Sequence, residues 1–147
     1  MDYSVLMSVY HREKPDFLKQ SMESIYQQTI PTNDFVLVCD GPLNNKLDDV
    51  INEMQNLFGE RLKVVRLAKN GGLGNALNEG IKHCKNELVA RMDSDDIAYP
   101  DRCERQMEVF KRYPKISICS GIVEEFTDNP NVVDARRVPP ETNAQSF

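Results

Sequence analysis

Leu88-Val89-Ala90-Arg91-Met92-Asp93-Ser94-Asp95-Asp96 is the stretch from which the fold is read. Five residues with apolar or long aliphatic side chains run directly into three carboxylates within four positions. Such a run reads as a buried strand that stops where acidic groups become exposed at its carboxyl end. In open α/β sheets that end is where ligands bind. Three carboxylates about 5 Å apart repel by roughly 3 kcal/mol per pair at an effective dielectric near 20. A divalent cation with oxygen ligands relieves that repulsion directly. Asp93 and Asp95 alternate, so on a continuing strand they face one way and share one ion. The competing reading is an acidic turn that caps the next helix, since Asp and Ser suit caps. Both stand at this point.

Working outward, apolar runs and helical spacings alternate. Tyr3 to Val9 and Phe35 to Cys39 read as buried strands, Leu62 to Leu67 as a third, and 88–92 as the fourth. Between them, Phe17, Leu18, Met22, Ile25 and Tyr26 fall at helical spacing after Asp16, a candidate N-cap. Leu47, Val50, Ile51, Met54, Leu57 and Phe58 do the same, as do Ala76, Leu77, Ile81 and Cys84. A helix is expected from Tyr99-Pro100-Asp101 to about Tyr113, then a fifth strand at Ile116 to Cys119 and a short one within Ile122 to Phe126. Four strand–helix alternations in succession predict an α/β fold with a mainly parallel sheet covered on both faces. Beyond Gly121 the pattern weakens. Residues 127–147 read as a polar tail, and Asn143 to Phe147 have no evident place in a core.

The 147 residues suffice for one domain with a sizeable core. A formal charge of −5 argues against a non-specific nucleic-acid surface. No apolar run has the length of a transmembrane helix, and the N-terminus lacks the regions of a signal peptide. Cys39, Cys84, Cys103 and Cys119 are scattered, with no CxxC pair, so they read as small apolar filler in a reduced, cytoplasmic protein rather than a zinc framework.

Ser8 to His11, Asp40-Gly41, Gly71-Gly72-Leu73-Gly74 and Asp93 to Asp96 all follow predicted strands, so a parallel sheet brings them to one rim. The glycine segment has neither the dinucleotide spacing nor the Lys-Ser or Lys-Thr of a phosphate loop. A tight turn and a close backbone approach to a ligand both remain open for it. His11 and His83 read as structural or surface residues. Lys82, Lys85, Arg102, Arg105, Lys111 and Arg112 read as solvated helix faces.

In order along the chain come Ser8-Val9-Tyr10, Gln28-Thr29, Asp40, Asn70-x-Gly72 with Ala76-x-Asn78-x-Gly80-Ile81, and Met92-Asp93-Ser94-Asp95-Asp96 with Pro100-Asp101. Together these resemble the nucleotide-binding half of an inverting family 2 glycosyltransferase. They are most similar to bacterial enzymes of exopolysaccharide and lipopolysaccharide assembly. The resemblance spans residues 3 to 126 and implies a GT-A fold, three-layer α/β/α and Rossmann-like, incomplete at its C-terminal end. It divides the chain into a partial nucleotide-sugar-binding domain, 1–126, and a tail leading to an acceptor-binding part.

The roles it implies are positional. Ser8 and the backbone near Val9 border the base, and Tyr10 packs against its ring. Asp40 accepts from a uracil-type ring N–H, and Gly72 admits the nucleotide to the backbone. Asp93, with Ser94 beside it, contacts the ribose or the metal. Asp95 is the main ligand of Mg²⁺ or Mn²⁺ on the diphosphate of a donor, a UDP-sugar first among them. The implied acceptor is a glycan or lipid-linked saccharide, with the parent enzyme cytoplasmic or peripheral at the inner face of the plasma membrane. His11 departs from the family, which usually has Asn there. Glu124, Glu125 and Asp128 sit too early to match the family's general base, so none is assigned. A non-catalytic nucleotide-sensing module is the alternative. A receiver domain would need an acidic pair after the first strand, and a nucleotidyltransferase a glycine-rich basic loop there. Tyr10-His11-Arg12-Glu13 supplies neither.

Overall fold

The structure, a computed structural model, describes residues 1–127 and 129–137. Asp128 and the end of the tail, with Asn143 to Phe147, lie outside the described residues. Four strands, β1 (Ser4–Val9), β2 (Asp34–Cys39), β3 (Leu62–Arg66) and β4 (Val89–Asp93), form one parallel sheet in the order β3-β2-β1-β4. Three helices connect them: α1 (Pro15–Tyr26), α2 (Asn45–Phe58) and α3 (Leu73–Ile81). A parallel pair needs such a crossover, which is why the helical spacings fall between the apolar runs. This is the mainly parallel α/β arrangement that the alternation predicts.

Side chains alternate across the sheet and sort the core into two faces. Leu6, Val36 and Val38 pack with Ala76 of α3, joined by Val65, Leu67, Leu77, Cys84 and Val89. Gly80 lets α3 come close, since a Cβ there would stand 2.5 Å from Leu6 Cδ1 and 2.6 Å from Val38 Cγ2. On the other face Phe35 meets the edge of Phe58 at 5.2 Å, and Phe58 meets Tyr26 at 5.3 Å. Leu18, Met22 and Ile25 of α1 and Leu47, Ile51 and Met54 of α2 are buried as well. Each such side chain contributes about 1.5–3 kcal/mol by leaving water.

At the N-terminus of α1 the cap position is Lys14, with Pro15 following and no side-chain cap. Asp16, expected to cap, instead sits in the first turn. Proline's preset φ suits the first helical position, and an acidic residue there meets the positive end of the helix dipole. Within β4, expected to be buried, only Met92 is; Arg91 and Asp93 are exposed. The strand pairs with β1 on one side, and among the described residues it has no strand on the other.

Met1–Cys103 forms one compact unit and Glu104 onward another. The second contains most of α4 (Arg102–Arg112) and two antiparallel strands, β5 (Val123–Glu125) and β6 (Ala135–Arg137). Ile116 to Cys119 does not form the expected fifth strand. Its apolar residues find no sheet partner, and Ile118 is 67% exposed. The short strand expected within Ile122 to Phe126 is β5. Its partner β6 lies in the stretch read as a polar tail.

Candidate functional site

Parallel pairing in register brings the ends of all four strands to one rim. Ser8 is opposite Asp93 in β4, and Val9 is opposite Cys39, which is opposite Arg66. Asp40 and Asp93 therefore flank the end of β1, their backbones about 10 Å apart across two strand spacings.

At the β4 side the strand stops at Asp93, and the chain turns, closed by the Asp96 N–H donating to the Asp93 carbonyl at 3.2 Å. Asp93 and Asp95 thus do not lie on one continuing strand as expected. The turn gathers them together with Asp96, so that one carboxylate oxygen from each lies within 4.8 Å of the others. All three residues are exposed. Asp96 is the carboxylate that counting by twos leaves out of the pair; the i-to-i+3 closure of a turn is what would have included it. Partial burial and the charges of Asp93 and Asp95 push the Asp96 carboxyl above its ordinary value, with Arg102 pulling the other way. The Arg91 guanidinium stands 3.5 Å from Asp93. Arg102, expected on a solvated helix face, donates instead to the Arg91 carbonyl at 2.9 Å. Ser94 is buried, and its hydroxyl donates to the Glu13 carboxylate in the β1–α1 loop. Nothing in the sequence singles out Glu13.

Toward β2, Asp40 is 3% exposed. Its carboxylate accepts from the Gly71 N–H at 2.8 Å and the Gly72 N–H at 3.1 Å. The Asp40 N–H in turn donates to the Val9 carbonyl at 2.8 Å. Gly72 has φ +93°, a left-handed conformation glycine tolerates, and it caps α3. Gly41 has φ +91°, and a Cβ on it would lie 2.6 Å from the Asn70 nitrogen. The turn after β2 and the glycine loop before α3 are therefore one packed unit. Val9 is buried, whereas Tyr10 is 44% exposed, its ring 5.6 Å from that of His11 in an edge-on arrangement. The rim thus offers a cluster of hard oxygen donors, a glycine-lined backbone and an accessible aromatic ring. Those are the surfaces that a cation, a diphosphate and a planar base each call for.

The cysteines are free, and Cys39 and Cys103 are buried. Burial pushes the Cys39 thiol up to about 11. Among the described residues no helix is long and apolar enough to cross a membrane.

Residues 4–146 match the family described as Glycosyl transferase family 2. The chain is 43% identical over 148 residues to an uncharacterized glycosyltransferase of Haemophilus influenzae, covering 100% of this chain and 54% of that one. It is 42% identical to the amylovoran biosynthesis glycosyltransferase AmsE of Erwinia amylovora, over 86% of this chain and 47% of that one. With the UDP-Gal:alpha-D-GlcNAc-diphosphoundecaprenol beta-1,3-galactosyltransferase of Escherichia coli it shares 37% identity, over 87% and 46% respectively. The chain thus spans about half the length of these relatives. Among solved structures it is similar to Staphylococcus aureus TarS 1-349 in complex with UDP-GlcNAc, with a TM-score of 0.68 and 25% identity over 78% of this chain and 32% of that one. TarS 1-349 alone gives a TM-score of 0.70 at 24% identity over 95% of this chain and 39% of that one, a likeness of fold.

Proposed function

Because the chain belongs to glycosyl transferase family 2 and has its GT-A fold, we propose that the carboxyl-end rim of its sheet binds the nucleoside diphosphate of an activated sugar through a divalent cation. The observation that carries this reading is the meeting of Asp93, Asp95 and Asp96 within 4.8 Å at the end of β4. Exposed hard oxygen donors fit Mg²⁺ or Mn²⁺, ions that keep open positions for water and phosphate oxygens. When bound, such an ion supplies a Lewis acid for the charge that develops on a departing diphosphate.

The chain's own residues divide the remaining work. Tyr10 offers its exposed face to the base, bordered by Ser8 and the Val9 backbone. Asp40 holds Gly71 and Gly72 in place. A carboxylate has about four acceptor sites, so Asp40 retains capacity for a ring N–H of the uracil type. Gly72 presents bare backbone to the nucleotide. Ser94 sits between the acidic ligands, its hydroxyl held by Glu13.

For the whole protein we propose transfer of the sugar, with inversion, to a glycan or lipid-linked saccharide in cell-surface polysaccharide assembly, on the cytoplasmic face of the membrane. The galactosyltransferase and amylovoran relatives support that class of acceptor, and the galactosyltransferase supports a UDP-linked donor. The UDP-GlcNAc complex of TarS supports the same nucleotide. No general base is assigned, and Glu125 is paired with Arg137.

The test is calorimetric titration of UDP with Mn²⁺ and with EDTA, repeated on Asp95→Ala and Asp40→Ala. Metal-dependent binding is expected, abolished by Asp95→Ala, with Asp40→Ala weakening UDP more than a base-free diphosphate. Equal UDP affinity in EDTA, or no binding of UDP, dTDP or GDP with either metal, would overturn the reading.

A further inference from the structure

Gln28 is almost fully buried at 4% exposure, as are Ser24 one turn and Ser21 two turns before it on α1. Their spacing, i, i+3 and i+7, places them on one side of the helix and its C-terminal extension. The other buried positions of α1 are apolar: Leu18, Met22 and Ile25. Polar groups in such positions cost free energy unless they are hydrogen-bonded. Beyond two bonds within the helix itself, what they bond is a single segment, 93–103.

The Ser21 hydroxyl donates to the Asp93 carbonyl at 3.0 Å. Ser24 Oγ donates to the Ser21 carbonyl at 2.7 Å and accepts from the Ala98 N–H at 3.0 Å. The Gln28 amide donates to the Ser24 carbonyl at 3.1 Å and the Tyr99 carbonyl at 2.8 Å, and its oxygen accepts from the Cys103 N–H at 3.0 Å. Beside it the Thr29 N–H donates to the Pro100 carbonyl at 2.8 Å. Between Asp93 and Arg102 the chain has no helix or strand, so its backbone groups lack the partners regular structure would supply. The α1 stripe supplies them, and Glu13 holds Ser94 from the β1–α1 loop.

We propose that Ser21, Ser24 and Gln28 are positioning residues that preorganise the acidic turn for its cation. This rests on the reading of that turn as a cation site. Three like charges would drive an untethered loop apart, and the cost of gathering them would then fall on binding. Anchored at Asp93 on one side and at Ala98 to Cys103 on the other, the turn meets that cost during folding. The function of Gln28-Thr29, singled out in the sequence without a role, is thereby defined: it clamps the segment that follows the ligands.

The experiment uses Gln28→Met, which keeps the volume and removes all three hydrogen bonds, and Ser24→Ala as a milder second variant. Ile51→Val, in the core of α2, is a control for general destabilisation. Hydrogen exchange of the 95–103 amides is measured without metal, and Mn²⁺ is titrated in the presence of UDP well below each melting temperature. Faster exchange confined to 95–103 is expected in Gln28→Met, with Mn²⁺ affinity lower by about tenfold or more, the usual size of an outer-sphere effect. Ser24→Ala should show the same pattern in smaller measure, and Ile51→Val neither change. Wild-type exchange and affinity in both stripe variants would overturn the proposal, as would an equal affinity loss in Ile51→Val. If the wild-type chain binds no Mn²⁺, the cation site falls. The exchange measurement then decides the tether alone, fast exchange supporting it and wild-type exchange refuting it.

Discussion

Asp95→Asn should make the chain more stable without metal and less stable with it. Asp93 is offset by Arg91 at 3.5 Å and Asp96 by the charge of Arg102, so Asp95 is the cleanest of the three to neutralise. Two unit charges at 4.8 Å, the limit within which the carboxylate oxygens lie, repel by about 0.9 kcal/mol in water and about 3.5 kcal/mol at a dielectric of 20. All three groups are exposed, which favours the lower figure. Asp95 takes part in two such pairs, giving about 2 kcal/mol. Neighbours this close in sequence also repel in the unfolded chain, which reduces the net gain to about 1 kcal/mol. For a chain of this size that is a rise in Tm of about 2–4 °C in EDTA at low salt. The rise should shrink in 1 M NaCl, where the Debye length of about 3 Å is shorter than the separation. Saturating Mn²⁺ and UDP at about a hundredfold over Kd should add about 2.7 kcal/mol to the wild-type chain and nothing to the variant. The order of the two melting temperatures therefore reverses, which thermal scans in the two buffers read directly. A lower Tm for Asp95→Asn in EDTA would refute the reasoning and make the turn a structural cap. An equal gain from Mn²⁺ and UDP in both proteins would refute the ligand assignment.

Two further outcomes follow from features away from the acidic turn. Asp34 is fully buried, accepting from Ser4 Oγ at 2.6 Å and the Lys85 N–H at 2.8 Å, with Lys63 Nζ at 2.9 Å. Burial pushes its pKa up, but these partners outweigh it and hold the carboxyl below 3.8. A depressed folded-state pKa contributes stability that is present above the unfolded value and lost as pH falls through the folded one. Urea midpoints measured from pH 5 down to pH 2.5 should therefore fall more steeply for the wild-type chain than for Asp34→Asn. In Gly41→Ala the new Cβ would meet the Asn70 nitrogen at 2.6 Å at a φ of +91°. The strain should lower stability by about 1–3 kcal/mol and weaken UDP binding, read by thermal scan and calorimetry, whereas Gly74→Ala, with open space around it, should do neither.

The sheet was legible because its strands, β1 and β2 above all, are written as apolar runs, and the helices between them as 3.6-residue spacings. Ile116 to Cys119 carried the same local signal, but a strand needs a partner edge, which no local pattern guarantees. β6, with two arginines in three residues, carried no strand signal and exists by pairing with Val123 to Glu125. At the site, the acidic turn was legible as the end of a strand, while its third carboxylate depended on a turn geometry that alternation does not encode. Asp40 was legible as a rim carboxylate. Its bonds to Gly71 and Gly72, thirty residues on, depend on β3 returning beside β2. The partners of Ser21, Ser24 and Gln28 were not legible, because a polar residue looks the same from sequence whether its partner is water or a loop about seventy residues away.

The most direct test of the central claim is paramagnetic broadening in the ¹⁵N–¹H spectrum of the chain, without and with UDP, as Mn²⁺ is added in substoichiometric steps. The account predicts that amides of 93–96 vanish first, that those of 71 and 72 follow only when UDP is present, and that Asp95→Ala removes both effects. Broadening that begins elsewhere, or that spreads evenly over the acidic surface with or without UDP, would contradict it.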